Sequence, residues 1–401
     1  QPQQENDIAP PSTVRMRPSS FVGLPSTVFF DYPAELKYQR NDASAEESLG
    51  SRKLRYDTHW ERNCIKKAFV RAGYARSTKK WTALWSKHQS EDALRSLNCL
   101  QKVNHFPNSW CIGRKDRLLR LITAMKRLHG AEFDIHPDGY ILPGEKDALL
   151  RQVHDIDSKH AKRKVREGLW ICKPVSSSCG RGIRVLTREK LLKYLEKDKG
   201  KSVIMQRYID NPYLINGKKF DLRIYVLVTG VDPMRVYVHS QGLTRISTSN
   251  YSISNTKDKF AHLTNYSINK DSDKFVEAGI DAETGGCDEF DESSFKWSLA
   301  AFKKYLEERT SRDVMEATFR RIDDLLVKTM IAAESEMTPR VYSDCPYRSN
   351  CYELFGCDVM LDSKLNPHLI EVNVSPSLMG SSPLDRQIKG LLVADMFHLV
   401  G

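Results

Sequence analysis

The sequence predicts an α+β protein, and the order of its apolar segments carries that prediction. Apolar runs at 352–361 and 368–375 flank a turn-rich segment, 362–367, which is typical of a β-hairpin. Strands are also predicted at 139–143 and on both sides of a Gly/Ser-rich turn at 175–182. Helices are predicted at 117–128, 295–308 and 313–336. A chain of 401 residues is long enough for two or three domains.

The N-terminal part has a different composition. Residues 1–50 are rich in Pro, Ser, Gln and Asn, which predicts a disordered or extended lead-in. From 51 to 100, helical spacing of large apolar side chains predicts amphipathic helices. The expected core anchors of these helices are Trp60, Ile65, Phe69, Trp81 and Trp85. The acidic, glycine-bearing stretch 271–291 predicts a mobile loop.

The chain is basic, with 62 Lys and Arg against 51 Asp and Glu and a net charge of +11. Such a charge suits nucleic acid, an anionic membrane or an acidic polypeptide, or it reflects a mild excess of solvated lysines. No zinc finger, RNP-type motif or long basic helix supports a nucleic-acid partner, and no apolar run reaches membrane-spanning length. Nine cysteines without a CxxC pair fit a reduced cytosolic chain.

The C-terminal hairpin carries candidate metal ligands. Asp358 and Glu371 lie equally far from the loop midpoint, so symmetric pairing sets their carboxylates side by side. Asn373 shares the face of Glu371 because side chains alternate along a strand. Two close carboxylates in an apolar hairpin favour a cation between them, and hard oxygen ligands suit Mg²⁺. The alternative is a pair of acids facing solvent on an edge strand.

Charged residues also interrupt the apolar strands in the middle of the chain. Lys173 ends the strand 170–174, and the small residues that follow would let backbone N–H groups approach phosphate oxygens. A plain hairpin turn is an equal alternative, since the Walker A spacing is absent. Further on, Lys219, Asp221 and Arg223 share one strand face, and burying that face requires charged partners such as a polyphosphate with its metal.

These segments together resemble the tubulin–tyrosine-ligase-like family, whose members are glutamate or glycine ligases of the ATP-grasp fold. The resemblance covers residues 104–401. It rests on six motifs in the family's order: Lys173-Pro with its loop, Gln206-Arg-Tyr-Ile209, Lys219-Phe-Asp-Leu-Arg223, Gly242-Leu-Thr-Arg245, His262-Leu-Thr-Asn-Tyr-Ser-Ile-Asn-Lys270 and Glu371-Val-Asn-Val-Ser-Pro-Ser377. Three more segments resemble the family's tubulin polyglutamylases: Asn104-His-Phe-Pro107, Ile112-Gly-Arg-Lys-Asp-Arg117 and Ser381-Ser-Pro-Leu-Asp385.

The resemblance implies an ATP-grasp architecture in which three domains surround a nucleotide cleft. After the lead-in, the expected divisions are an N-terminal domain at 51–165, a central domain at 166–260 and a C-terminal domain at 261–401, which carries the hairpin.

The resemblance also implies site residues. The set expected at ATP is Lys173, Cys179, Gly180, Gln206, Arg207, Tyr208, Ile209, Lys219, Asp221, Thr264 and Asn265. Two Mg²⁺ ions are expected at Asp358, Glu371 and Asn373, and the catalytic side chains are Arg223, facing the transferred phosphate, and Lys173. The set expected at the incoming amino acid is Arg245, Tyr266, Ser267, Lys296 and Lys389. Cys179 stands where relatives carry a longer polar or basic side chain.

The implied reaction is ATP-dependent ligation of free glutamate to a side-chain carboxylate of an acidic tail, such as that of tubulin. The expected protein is a monomer that binds neither nucleic acid nor membrane and acts in the cytoplasm on microtubules, including those of cilia. Two alternatives stay open: a glycine ligase acting on the same tails, and a non-catalytic microtubule-binding module.

Overall fold

The computed structural model of the chain describes residues 14–32, 47–48, 54–60, 63–163, 168–175, 180–197, 200–273, 275–276 and 290–401. Helices and strands are both abundant, which confirms the α+β prediction at the level of fold class. None of the helices in these ranges combines the length and hydropathy of a membrane span.

The strands are β1 (Arg15–Arg17), β2 (Thr27–Val28), β3 (Glu47–Ser48), β4 (Arg55–Thr58), β5 (Ala75–Arg76), β6 (Ala83–Trp85), β7 (Lys102–Val103), β8 (Gly139–Leu142), β9 (Trp170–Pro174), β10 (Arg184–Leu186), β11 (Val203–Arg207), β12 (Leu214–Ile215), β13 (Lys218–Val231), β14 (Met234–Asn250), β15 (Lys296–Ser298), β16 (Glu353–Leu361) and β17 (Pro367–Asn373). The α-helices are α1 (Asn63–Arg71), α2 (Glu91–Arg95), α3 (Trp110–Gly113), α4 (Lys115–His129), α5 (Lys146–Arg163), α6 (Arg188–Glu196), α7 (Lys259–His262), α8 (Tyr266–Asn269), α9 (Leu299–Arg309), α10 (Arg312–Asp344) and α11 (Pro383–Val400).

The described strands form four sheets. The two that matter for the site are antiparallel: a four-stranded sheet in the order β10-β9-β11-β8, and a larger sheet in the order β15-β14-β13-β16-β17 with β12 on β13. A parallel sheet, β5-β4-β6-β7, and a small sheet, β2-β1-β3, come from the N-terminal part.

The large sheet is covered on both faces, which explains why its central strands β13 and β16 are almost wholly buried. On one face Phe220 packs with Phe302 of α9 and Leu326 of α10 in a single hydrophobic cluster. On the other face Tyr225 belongs to the cluster that contains Ile388 of α11. Lys219, Asp221 and Arg223 share that second face because they alternate with the apolar residues of β13.

The C-terminal hairpin has the predicted strands, and Asp358 is directly opposite Glu371, as predicted. Near the loop, however, the register differs: Val359 pairs with Leu369, one residue away from symmetric pairing. A β-bulge at Ile370 restores the register between these pairs. Because of the bulge, Leu369 and Val372 both lie on the buried face, and Glu371 and Asn373 lie on the opposite face.

The N-terminal part departs from the predicted helices. Ile65 and Phe69 are buried in α1 as expected, but Trp85 lies on β6 and Trp60 and Trp81 lie outside helices. The four-residue spacing of Trp81 and Trp85 is typical of a helix, but parallel pairing of β4 with β6 overrides that local pattern. In the predicted lead-in, residues 14–32 are partly extended.

Phe30 of that lead-in segment is buried, and its ring stacks on Phe397 of α11 with centroids 4.8 Å apart. The described part of the lead-in is therefore packed against the C-terminal helix.

Most other elements match their predictions, including α4, β8, β9 and α10. The predicted helix at 295–308 is wrong at its start, because Lys296–Ser298 pairs with β14 as strand β15 and α9 begins only at Leu299. The predicted loop at 271–291 falls largely outside the described residues. The domain divisions at 50, 165 and 260 stay predictions.

Gly242 on β14 is a point where the large sheet tolerates no side chain. A Cβ atom there would lie 2.5 Å from the backbone oxygen of Arg223 on β13. We expect Gly242→Ala to lower the free energy of unfolding by about 1–3 kcal/mol, because the two strands would have to separate. Denaturant unfolding of the purified protein measures this.

The matched control is Gly144→Ala, whose added Cβ would meet its nearest atom only at 3.9 Å. Equal unfolding free energies for the two variants would contradict the predicted strand contact.

Candidate functional site

A cleft is lined by residues of both the four-stranded and the six-stranded sheets. It brings together ten of the eleven residues predicted at the nucleotide: Lys173, Gly180, Gln206, Arg207, Tyr208, Ile209, Lys219, Asp221, Thr264 and Asn265. Asp358 and Glu371, predicted as metal ligands, line the same cleft. The eleventh, Cys179, lies outside the described residues.

Lys219 lies at the floor of the cleft and is 3% exposed. Its ammonium donates to the hydroxyl of Tyr208 at 2.8 Å and to the backbone oxygen of His262 at 3.0 Å. Burial lowers the pKa of Lys219 to about 7, although the Asp221 carboxylate acts in the opposite direction. The buried ammonium is therefore short of negative charge, which an anionic ligand would supply.

Lys173 faces the cleft from β9. Its ammonium donates to Oε1 of Gln206 at 2.7 Å, and the Gln206 amide donates in turn to the backbone oxygen of Pro137 at 2.7 Å. Burial lowers the pKa of Lys173 to about 8, despite the attraction of Glu371. Both lysines therefore combine a fixed position with an unsatisfied preference for negative charge.

Apolar residues that the sequence did not single out complete the cleft. Ile171, Ile183, Leu263, Met360 and Ile370 line it beside the 206–209 segment. An apolar slot next to backbone and amide groups suits a planar base. Ile171, Met360 and Ile370 were missed because apolar residues on strands are ordinarily core.

Gly180 has a left-handed backbone, with φ of 72°. A Cβ atom there would lie 2.5 Å from Cδ1 of Ile268 and 3.0 Å from Oδ1 of Asn265. Glycine is thus required for the loop to approach the 265–268 segment this closely.

A row of charged residues crosses the six-stranded sheet on the cleft side. The register pairs Lys296 with Arg245, and Arg245 with Asp221. Two residues along β13, Arg223 pairs with Asp358, which pairs with Glu371 on β17. We call these six residues the charged row: Lys296, Arg245, Asp221, Arg223, Asp358 and Glu371.

Two arginines share Asp358 at the centre of the charged row. Arg245 donates to Asp358 at 2.7 Å and holds Asp221 in a bidentate pair at 2.6 and 2.8 Å. Arg223 donates to the two oxygens of Asp358 from Nε and, at 3.1 Å, from Nη2. Burial disfavours the charged carboxylate, but the two guanidinium groups outweigh it and hold the pKa of Asp358 well below its usual range.

The pKa of Asp221 is shifted in the opposite direction from that of Asp358. Burial raises the pKa of its carboxyl group, and the negative charge of Asp358 acts in the same direction, against the attraction of Arg245. Thr264 donates its hydroxyl to the same carboxylate. The predicted partner of Arg245 was the incoming amino acid, whereas its guanidinium here contacts two carboxylates of the sheet. The roles of Arg223 and Arg245 toward substrates stay predictions.

Glu371 and Asn373 lie at the outer end of the charged row. Oε2 of Glu371 is 3.1 Å from Nζ of Lys115, a residue of α4 that was quoted in a motif but given no role. The Asn373 amide nitrogen donates to the backbone oxygen of Gly356 at 3.1 Å and weakly to Glu371 at 3.4 Å. The amide oxygen of Asn373 is then the atom suited to a cation.

The lysines predicted at the amino acid form a second cluster around Asp385, which the sequence reasoning missed. Asp385 is fully buried; Lys296 donates to its carboxylate, and Nζ of Lys389 lies 2.9 Å from Oδ1. Burial opposes the charged form, but Lys389 and Lys296 outweigh it and lower the pKa of Asp385 to about 2. The spacing of Asp385 and Lys389, four residues apart on α11, could have revealed the pair.

The short helix α8 brings Tyr266, another residue predicted at the amino acid, to this cluster. Nζ of Lys296 lies 4.8 Å from the ring centroid of Tyr266, a cation–π contact, and Ser267 follows directly on α8. The structure thus joins Tyr266 to the lysines, while binding of an amino acid there stays a prediction.

Comparison with known proteins identifies the family. Residues 92–400 match the Tubulin-tyrosine ligase family. The chain belongs to this family. Among its relatives is the human protein named tubulin monoglutamylase TTLL4, which is 37% identical over 395 residues that cover 96% of this chain and 30% of that protein.

Two further relatives have similar names. Human tubulin polyglutamylase TTLL5 is 39% identical over 331 residues, which cover 81% of this chain and 24% of that protein. Tubulin polyglutamylase ttll-4 of Caenorhabditis elegans is 32% identical over 388 residues, which cover 94% of this chain and 59% of that protein. The chain therefore spans less than two thirds of the length of each of these relatives.

The lowered pKa values of Lys219 and Lys173 predict proton uptake when a nucleotide binds. At pH 8 both ammonium groups are partly neutral, with pKa values of about 7 and about 8. The negative charge of ATP should raise both values, so binding takes up protons at pH 8, where the phosphates are already ionised. Titration calorimetry in buffers of different ionisation enthalpy measures the uptake.

Lys219→Arg is the matched variant, because a guanidinium stays charged and cannot take up a proton. Proton uptake should fall in this variant and should shrink in the wild type as the pH is lowered to 6. Uptake at pH 8 that is absent, or unchanged by Lys219→Arg, would contradict the assignment of the lysines to the phosphates.

Proposed function

We propose that this chain is an ATP- and Mg²⁺-dependent ligase that joins glutamate through an isopeptide bond to side-chain carboxylates in the acidic tails of tubulin. The observation that carries the proposal is a single cleft in which two buried lysines lie beside three acids of the charged row, Asp221, Asp358 and Glu371. The names of the relatives, tubulin monoglutamylase and tubulin polyglutamylase, support the choice of reaction and acceptor. The ATP-grasp layout and its three domains belong to the same proposal.

The donor set at the outer end of the charged row fits magnesium. Asp358 and Glu371 are paired carboxylates, and Asn373 adds an amide oxygen on the same face. In this structure Arg223, Arg245 and Lys115 contact those carboxylates, so a bound cation would share them with these side chains. When bound, Mg²⁺ would offset the negative charge of the nucleotide phosphates.

The reaction needs an activated carboxylate, because a carboxylate oxygen is a poor leaving group. Transfer of the terminal phosphate of ATP to the acceptor carboxylate makes that oxygen a leaving group as phosphate. The glutamate amine then attacks the carbonyl carbon, the C–N bond forms and phosphate departs. Lys173 and Lys219 would hold the phosphates, and Arg223 would stabilise the charge on the group in transfer.

Holding all reactants in a single site would supply much of the rate enhancement over the uncatalysed reaction. Orientation of bound groups is worth up to about 7–11 kcal/mol of the barrier in favourable cases. Four residues of the charged row are buried, and all six are held by ion pairs, so the side chains are positioned before substrates arrive.

The positive charge near Asp385 supports glutamate over glycine as the amino acid. Two buried lysines share one aspartate, which leaves a net positive charge for a substrate carboxylate. Glycine offers one carboxylate and glutamate offers two, and the names of the relatives, tubulin monoglutamylase and tubulin polyglutamylase, favour glutamate. The net charge of +11 supports an acidic polypeptide as acceptor, and we place the protein in the cytoplasm on microtubules, including those of cilia.

Ligation assays test the proposal directly. The chain is incubated with ATP, Mg²⁺, tubulin and either labelled glutamate or labelled glycine, with tubulin lacking its acidic tails as the acceptor control. We expect incorporation of labelled glutamate, and only into intact tubulin. The variant Glu371→Gln should incorporate none, because it keeps the side-chain shape but loses the charge. Incorporation of glycine instead of glutamate would overturn the choice of amino acid, and incorporation of glutamate into tailless tubulin would overturn the choice of acceptor. Full activity of Glu371→Gln would overturn the assignment of Glu371 to the metal.

Asp385 is predicted to position the two lysines at the glutamate site. In Asp385→Asn, Lys296 and Lys389 lose the carboxylate that fixes them, so the KM for glutamate should rise while the KM for ATP stays near the wild-type value. A lost charge-assisted contact predicts a fall of roughly ten- to a hundredfold in kcat/KM for glutamate. Steady-state kinetics with each substrate varied in turn measures the split.

Asp395→Asn is the matched control, since it removes the same charge from α11 at a residue bonded to Tyr32 rather than to a lysine. Circular dichroism and thermal melting check that both variants are folded. An equal rise in KM for ATP and glutamate, in a folded protein, would show that Asp385 supports the whole cleft and not the amino-acid site.

A further inference from the structure

Away from the cleft, two histidines and a glutamate converge from distant parts of the sequence. His88 follows β6, His105 follows β7, and Glu353 is the first residue of β16. Their candidate ligand atoms all lie within 4.8 Å of one another. Neither the proposed ligase reaction nor the charged row uses these side chains.

The contacts centre on one oxygen of Glu353. Its Oε1 atom lies 2.6 Å from Nδ1 of His105 and 3.8 Å from Nε2 of His88. The hydroxyl of Ser109 lies 2.7 Å from His88 Nε2 and donates to Oε1 at 3.0 Å. The second oxygen, Oε2, accepts the backbone N–H of Phe106 at 2.9 Å, so the carboxylate is fixed by one oxygen and presents the other to the histidines.

Burial gives these groups the chemistry of metal ligands. Glu353 is fully buried, and burial raises its pKa despite the pull of His105. Burial and then the neighbouring His105 lower the pKa of His88 to about 3, so its imidazole is neutral at physiological pH. A neutral imidazole is the form that binds a metal, and a buried carboxylate is stabilised by a cation.

We propose that His88, His105 and Glu353 form a binding site for one transition-metal ion of the zinc class, with the Ser109 hydroxyl or a water as the fourth ligand. Two imidazole nitrogens and one carboxylate oxygen are a ligand set that zinc uses, whereas Mg²⁺ prefers oxygen alone. Binding of the ion would replace the hydrogen bond between Nδ1 of His105 and Oε1 of Glu353.

The outer contacts of the ligands suit this assignment. The carboxylate is held through Oε2 by Phe106, and Nε2 of His105 lies 3.5 Å from the hydroxyl of Ser375. Such partners orient a ligand and set which nitrogen faces the metal. The side chain of His88 is 21% exposed, which gives an ion a route from solvent.

The site would join the N-terminal part of the chain to the large sheet. His88 and His105 belong to loops next to the parallel sheet, while Glu353 begins the strand that carries Asp358 five residues later. A bound ion would therefore hold the N-terminal loops against β16, and its role is structural rather than catalytic.

Metal titration tests this inference without an activity assay. The chain is stripped with a chelator and titrated with Co²⁺ and Zn²⁺ in excess Mg²⁺, which keeps oxygen-rich sites occupied. We expect one equivalent of Co²⁺ with the visible absorption of a tetrahedral site, displaced by Zn²⁺, and a zinc-dependent rise in melting temperature.

His88→Ala should weaken binding by more than about a hundredfold, since loss of even an outer-shell partner costs about 10–100-fold. This variant is chosen because His88 is the most exposed of the three ligands and its loss is the least disruptive to folding. His129→Ala, an exposed histidine on α4, is the matched control and should bind like the wild type, as should Glu371→Gln.

Three results would overturn the site: no binding at micromolar zinc, binding that His88→Ala leaves unchanged, or a melting temperature independent of zinc in the wild type. The last result would show that His88, Ser109, Glu353 and His105 form a hydrogen-bond network only.

Discussion

The pairing of buried arginines with buried aspartates across the central sheet is the interaction on which the rest of the structure depends. Asp358 lies between Arg223 and Arg245, and Arg245 also holds Asp221, so no charge in this group is isolated. Removing one partner from such a buried group typically costs about 3–5 kcal/mol. The strand registers must therefore all be correct at once, and the same registers build the candidate site.

Around that balanced centre, the surrounding clusters carry excess positive charge. Lys173 and Lys219 lack enough negative charge to keep ordinary pKa values, and Lys296 and Lys389 share the single carboxylate of Asp385. A cleft of this kind is completed electrostatically by anionic ligands. The two pairs of lysines thus form two separate cationic positions, which the proposed ligase reaction would use for phosphates and for a carboxylate.

Local sequence patterns predicted much of the architecture. The strands around Lys173, the helix α4 and the C-terminal hairpin follow from alternation, helical spacing and turn residues, which act over a few positions. The predictions failed where distant pairing overrode the local pattern. Trp85 lies on a strand because β6 pairs with β4 in parallel. Lys296–Ser298 is a strand because it pairs with β14, although a helix follows directly.

The sequence by itself identified charged residues that meet at the candidate site: the alternating face of Lys219, Asp221 and Arg223, and the acids of the C-terminal hairpin. The pairing of Asp358 with Glu371 also followed from the hairpin, but the other partners were decided only by the tertiary structure. Arg245 reaches both Asp221 and Asp358 across the sheet, and the packing of α11 brings Asp385 to Lys296, 89 residues away. Residue type and alternation can be read from a few neighbouring positions of the sequence. Strand register and the burial of a charge depend on strands and helices that meet only in the folded chain.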